Sequence, residues 1–136
     1  MSRAPAQTRT EARTQARAIR GAEARRSGRR AELLAAAWLM LKGYRILGFR
    51  LKTPQAEIDL LAWKRGVLAV VEVKRRADLA AALETVSLDQ RERLRRAAIS
   101  LAARRPDLKA ATVRLDLLAL APGRAPRHVP DAWKGG

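Results

Sequence analysis

Three acids and a lysine interrupt otherwise apolar strand patterns. Glu57 and Asp59 lie two apart in Glu57-Ile-Asp-Leu-Leu-Ala-Trp63, and Glu72 and Lys74 two apart in Val71-Glu-Val-Lys74. Residues two apart in a strand point to one face. The tight turn Lys64-Arg65-Gly66 between the two stretches reads as a hairpin, which lets the pairs face each other. Burying one unpaired carboxylate is costly, so a cluster of three needs compensation. A divalent cation between them supplies it, with Lys74 neutralising the remainder. A solvated ion pair explains either pair alone. Two acidic strand ends joined by one hairpin, on a strongly basic chain, favour the metal site.

Composition narrows the chemistry. The 136 residues contain no Cys and one His, His128, in a Pro-rich segment. Disulfides, Cys/His zinc sites, thiol catalysis and c-type haem are excluded, and a histidine base is disfavoured. Any metal is a hard cation on carboxylates. Lys and Arg number 29 against 13 Asp and Glu, a net charge of +16. Such a charge points to a polyanion, nucleic acid before anionic membrane. The longest apolar run, Leu33 to Leu41, has nine residues, against the roughly 20 of a spanning helix. No apolar region follows the first charges, so no secretory signal is expected. Residues 1–30 are Arg-rich like a transit peptide but include Glu11 and Glu23, which suits a plain basic tail. The expected location is cytoplasmic.

The positioning elements follow from hydrophobic periodicity. Residues 1–27 are expected to form a disordered basic tail that becomes helical on a polyanion. Residues 28–120 form the folded domain, and 121–136 an irregular Pro-rich tail. A helix runs from Ser27 or Gly28 to about Lys42, with Leu33, Leu34, Ala37, Trp38 and Leu41 as its buried face. Gly43 ends it. Tyr44 to Lys52 reads as a strand whose phase changes near Gly48, the mark of a bulge. Strands follow at Glu57–Trp63 and Val67–Lys74, the latter apolar on both faces and therefore central. Asp78–Glu84 is a short helix. Ser87-Leu-Asp-Gln90 is a capping box opening a helix to about Arg104, with Leu94, Ala98 and Leu101 inside and Pro106 beyond its end. Val113–Leu120 is a fourth strand. The order helix-strand-strand-strand-helix-strand defines an α/β domain, a mixed sheet flanked by helices.

The chain resembles the YraN-like family of bacterial proteins. The resemblance rests on Gly28-Arg-Arg-Ala-Glu32, Ala36, Gly43-Tyr-Arg-Ile-Leu47, Glu57-Ile-Asp-Leu-Leu-Ala62, Val71-Glu-Val-Lys-Arg-Arg76, Arg93-Leu94 and Arg114-Leu-Asp116. It implies a restriction-endonuclease-like fold with a PD-(D/E)XK nuclease motif, similar to archaeal Holliday-junction resolvases. By that resemblance Asp59 is the acidic metal ligand, Glu72 and Lys74 are the (D/E)XK pair, and Glu32 is the first-helix Glu that joins the metal shell. Glu57 matches a family position that supports the site or points away from it. The chain departs from the pattern at Ala56, where Gly is usual, at Ala77-Asp-Leu-Ala80, where Phe-Gly is usual, and at Gln90, where Lys is common. The last two bear on substrate contacts more than on metal binding.

These residues suit phosphodiester hydrolysis. Mg²⁺ or Mn²⁺ on Asp59 and Glu72 would polarise the phosphate and activate water, and Lys74 would position that water or offset transition-state charge. The expected activity is a metal-dependent endonuclease acting on DNA, at branched or single-strand-containing structures. The alternative is a non-catalytic nucleic-acid-binding protein with the same fold; DNA is favoured over RNA, with no membrane partner. A homodimer follows by analogy with the resolvases. Arg75, Arg76, Arg93 and Arg96 are the candidate phosphate contacts, with Arg91, Arg95, Arg104 and Arg105 on the same helix as Arg93; a solvated helix face explains that row equally well. Trp38 reads as core. Trp133 either stacks on a base or packs back on the domain. Arg114 and Asp116 share a strand face and read as a structural ion pair.

Overall fold

The computed structural model describes residues 8–134 and divides the chain into two compact units at Arg30/Ala31. A first helix, α1 (Arg9–Leu41), runs through the boundary. It begins well before Ser27, so the segment expected to lack order is helical from Arg9. The local reason is a capping box. Thr8 N–H donates to Glu11 Oε2 at 2.8 Å, and Glu11 N–H donates to Thr8 Oγ1 at 3.1 Å. These bonds satisfy N-terminal donors of a stretch rich in Ala and Arg, both strong helix formers.

The second unit is a mixed sheet between helices. Its strands are β1 (Arg45–Lys52), β2 (Glu57–Lys64), β3 (Val67–Lys74), β4 (Thr112–Ala119) and β5 (Arg127–Val129), paired in that order. Only β3 and β4 run parallel. Between them lie α2 (Leu79–Glu84) and α3 (Leu88–Ala103), the helical crossover that parallel neighbours require. Ser87 caps α3 by accepting from Gln90 N–H at 3.1 Å, and Asp78 caps α2. β3 is central and almost wholly buried, as its two-sided apolar pattern predicts. Arg65 and Gly66 both have positive φ, which matches the hairpin twist between β2 and β3. The expected bulge lies at Gly48, where the β1–β2 register shifts. A Cβ there would come within 2.9 Å of Leu51 Cδ2.

The last turns of α1 reverse one expectation. Ala31, Ala35, Ala36 and Leu39 are buried, whereas Leu33 is 62% and Leu41 83% exposed; Leu34 and Met40 are exposed too. The small residues form the sheet-facing stripe because they let helix and sheet backbones approach closely. Ala35, Ala36 and Leu39 pack against Leu60, Ala69 and Val71. On the opposite side, Leu94, Ala97 and Ala98 of α3 pack on Leu61, Leu68 and Val70.

The segment after residue 120, read from sequence as irregular, contributes β5. Pro126 and Pro130 flank it, and an edge strand tolerates such neighbours. Trp133 packs back on the domain, donating Nε1–H to Leu83 O at 3.0 Å, with the Arg91 guanidinium 5.8 Å from its ring centroid.

Candidate functional site

The hairpin brings two of the expected carboxyls together. The β2–β3 ladder ends at Leu60↔Val71, so Asp59 and Glu72 are the next residues along it. Asp59 Oδ2 accepts from Val73 N–H at 3.0 Å, taking a donor that β2 no longer pairs. Strand alternation also breaks at this point. Ile58 belongs to the α3-side core but Leu60 to the α1-side core, although strict alternation would place them on one face. Arg50 lies between the β1 pairs Phe49↔Leu60 and Leu51↔Ile58, hence across from Asp59, and its φ is +46°. That left-handed backbone is uncommon for a residue with a side chain. The irregularity falls just before Asp59: counted from Leu61, regular alternation puts Asp59 on the face of Val70 and Glu72, and Ile58 is the residue out of phase.

Glu72 is 3% exposed, and its carboxyl lies within hydrogen-bonding reach of that of Asp59. Burial, then the Asp59 charge, push the Glu72 pKa up to about 8, while Lys74 pulls against them. Burial also raises the Asp59 pKa, opposed by the Val73 N–H, Lys74 and Glu72. One proton shared between two buried carboxyls relieves their repulsion. Even so, Glu72 Oε1 has no hydrogen-bond partner; Gln55 Oε1 is the other such buried side-chain atom among the described residues. A buried carboxyl pair with an unfilled oxygen beside an ammonium fits a hard cation, which takes oxygen ligands and displaces the proton.

The other expected site residues are placed differently. Glu57 is exposed at the start of β2 and acts on the pair through charge alone. Glu32 stands apart from the pair. Arg50 Nε donates to both Glu32 oxygens at 2.8 Å, so this acid is neutralised by a guanidinium. Among the described residues, no three Asp, Glu or His side chains are grouped closely enough to hold a metal together. The candidate site is therefore the Asp59–Glu72 pair with Lys74, and Glu32 is held by Arg50. Arg75 and Arg76 are exposed just beyond Lys74. On α3, Arg93 pairs with Asp89, and Arg96 lies 3.8 Å from Glu92. Exposed pairs of this spacing are worth only about 0.3–0.5 kcal/mol.

A second polar cluster is only partly legible in the sequence. Asp116 is fully buried. Arg114 donates to it through Nε at 2.7 Å and Nη2 at 2.8 Å, Asp131 N–H at 3.0 Å, and His128 Nε2 lies 2.8 Å away. Arg114 also reaches Tyr44 Oη at 2.7 Å, and Lys42 Nζ lies 2.6 Å from His128 Nδ1. Burial disfavours the Asp116 charge, but the bonds from His128, Arg114 and Asp131 N–H outweigh it and hold the pKa below the usual carboxylate range. The Arg114–Asp116 ion pair matches its sequence reading. The partnership with His128 has one signal, an acid inside the apolar run Leu115-Asp-Leu-Leu118 that demands partners.

Fold and site define a mixed α/β domain, an open five-stranded sheet flanked by helices with an acidic pair at the β2–β3 end, consistent with a restriction-endonuclease-like fold. The model of uncharacterised protein family UPF0102 matches residues 31–120, and the chain belongs to this YraN-like family. It is 70% identical to a UPF0102 protein of Caulobacter sp. (strain K31) over 114 residues, 84% of this chain and 82% of that protein. It is 65% identical to a UPF0102 protein of Caulobacter vibrioides (strain NA1000 / CB15N), covering 88% and 95% respectively. With UPF0102 protein amb4503 of Paramagnetospirillum magneticum it shares 49% identity, covering 82% and 89%. Among the described residues no helix is long and apolar enough to cross a membrane.

Proposed function

We propose that this chain is a divalent-metal-dependent endonuclease that hydrolyses DNA phosphodiester bonds, with Asp59 and Glu72 as metal ligands and Lys74 beside them. The observation that carries this reading is the buried Asp59–Glu72 pair with Glu72 Oε1 lacking a partner. A structural acid pair would be expected to have its oxygens satisfied. Mg²⁺ or Mn²⁺ held there supplies Lewis acidity and a water of lowered pKa. Asp59 is fixed for this task by the Val73 N–H. Lys74, close enough to act on both carboxyls, offsets charge on the phosphate as it develops. Arg75, Arg76 and the exposed arginines of α3 supply phosphate contacts. Glu32 requires release from Arg50 before it can join the ligands, so it is assigned no place in the resting site.

The test is cleavage of end-labelled branched, single-strand-containing and duplex DNA by the full chain in Mg²⁺ or Mn²⁺. Cleavage is expected in wild type and lost in Asp59→Ala and Glu72→Ala. Cleavage surviving both substitutions contradicts the assignment. DNA binding without cleavage in wild type selects the non-catalytic alternative. Structured RNA as competitor ranks the two nucleic acids.

A further inference from the structure

The Asp116 cluster shares no residue with the acidic pair and has an ordered chemistry of its own. Lys42 is solvent-exposed, while the side chains of His128 and Asp116 are 1% and 0% exposed. Lysine has donors only, so the 2.6 Å contact from Nζ makes His128 Nδ1 the acceptor. The ring proton then lies on Nε2 and is donated to Asp116 at 2.8 Å. Arg114 and the Asp131 N–H occupy the remaining Asp116 sites and fix the carboxylate. Tyr44 meets the imidazole edge-on, with centroids 5.7 Å apart and planes at 79°. Lys64 adds a second ammonium, with Nζ 2.5 Å from Lys42 O and 5.2 Å from the Tyr44 ring centroid. The result is an exposed amine hydrogen-bonded to a base, and a base oriented by a buried acid, the order required of an activated nucleophile.

We propose that Lys42 is a nucleophilic lysine that is acylated by acyl phosphates, with His128 as its base and Asp116 as the residue positioning that base. In the step, His128 Nδ1 takes one proton from the Lys42 ammonium, and the imidazolium is stabilised by Asp116. The freed amine pair forms the N–C bond to the acyl carbon. The C–O bond to phosphate breaks, and phosphate leaves with the electron pair. It takes the second amine proton, giving the Lys42 amide and hydrogen phosphate; His128 returns its proton to solvent. No oxidation occurs. Lys64 places positive charge beside the incoming dianion. The charged and titratable groups around the base are Lys42, Lys64, Tyr44, Arg114 and Asp116.

The full chain supplies its own controls, because the sequence has five other lysines: Lys52, Lys64, Lys74, Lys109 and Lys134. The experiment treats it with acetyl phosphate and follows acetylation at each lysine by peptide mass spectrometry. Lys42 should react at least roughly tenfold faster than the exposed Lys109 and Lys134, a conservative share of what a positioned base gives. His128→Gln and Asp116→Asn should bring Lys42 down to their level while the other rates hold. Equal reactivity at all exposed lysines in wild type overturns the proposal. So does a fast Lys42 that neither substitution slows. Because Asp116→Asn alters a fully buried position, ¹⁵N chemical shifts of His128 in the wild type give a check independent of folding. The Nε2–H tautomer is expected, and the Nδ1–H tautomer refutes the arrangement. None of these readings depends on Asp59 or Glu72.

Discussion

Replacing Glu72 with Gln should stabilise the metal-free protein at neutral and alkaline pH. Glu72 has its pKa pushed from 4.5 to about 8 by burial and by Asp59. Below the unfolded value both states hold the proton, and no penalty exists. Between the two values the unfolded chain releases the proton while the folded chain keeps it. Stability therefore falls as pH rises across this window, by at most about 1.4 kcal/mol per pH unit. Over the whole window the loss has a ceiling on the order of 5 kcal/mol, reached above the folded pKa. The raised pKa of Asp59 acts in the same direction. The amide introduced by Glu72→Gln can donate to the Asp59 carboxylate, so the contact survives without the titration. Urea unfolding in EDTA at intervals from pH 5 to 9 gives both curves. Wild type should lose stability steadily with pH, and Glu72→Gln should be flatter and the more stable protein at pH 8. Parallel curves, or a wild-type curve that rises across this range, would refute the burial argument.

Other perturbations probe neighbouring groups. Lys74→Met should leave Mn²⁺ binding in place and lower DNA cleavage by roughly a hundredfold or more, as loss of an electrostatic contact to a developing charge does; steady-state kinetics decide. Arg114→Leu strips the buried Asp116 of its ion-pair partner and should cost about 3–5 kcal/mol in urea unfolding. Ala35→Leu overfills the sheet-facing stripe of α1 and should cost about 1–3 kcal/mol. By contrast Leu41→Ser, on the exposed face, should stay within about 0.5 kcal/mol of wild type.

The parts of the fold that are legible in the sequence are those governed by local rules. Turn residues and two-residue alternation locate the β2–β3 hairpin, and the parity change at Gly48 locates the bulge. The α1 face differs from its sequence reading because periodicity weighs Leu33, Leu34 and Leu41 above alanine, whereas close helix–sheet packing selects Ala31, Ala35 and Ala36. The strand β5 has three residues between prolines, too few for a periodic signal. In the site, hairpin logic joins Asp59 to Glu72. It does not reveal that Arg50, across the sheet from Asp59, holds Glu32. The Pro-rich surroundings of His128 disfavour it as a base, yet strand pairing carries it to a buried acid twelve residues earlier in the chain. Both differences concern long-range partners, which composition and spacing do not encode.

The acidic pair is tested most directly by titrating the metal-free full chain into Mn²⁺ and following the free-ion signal by electron paramagnetic resonance. One bound Mn²⁺ per chain is expected in wild type, with binding that strengthens as pH rises toward 8, and loss of that binding in Asp59→Ala. Undiminished binding in Asp59→Ala, or no binding in wild type at pH 8, would contradict a metal site built on Asp59 and Glu72.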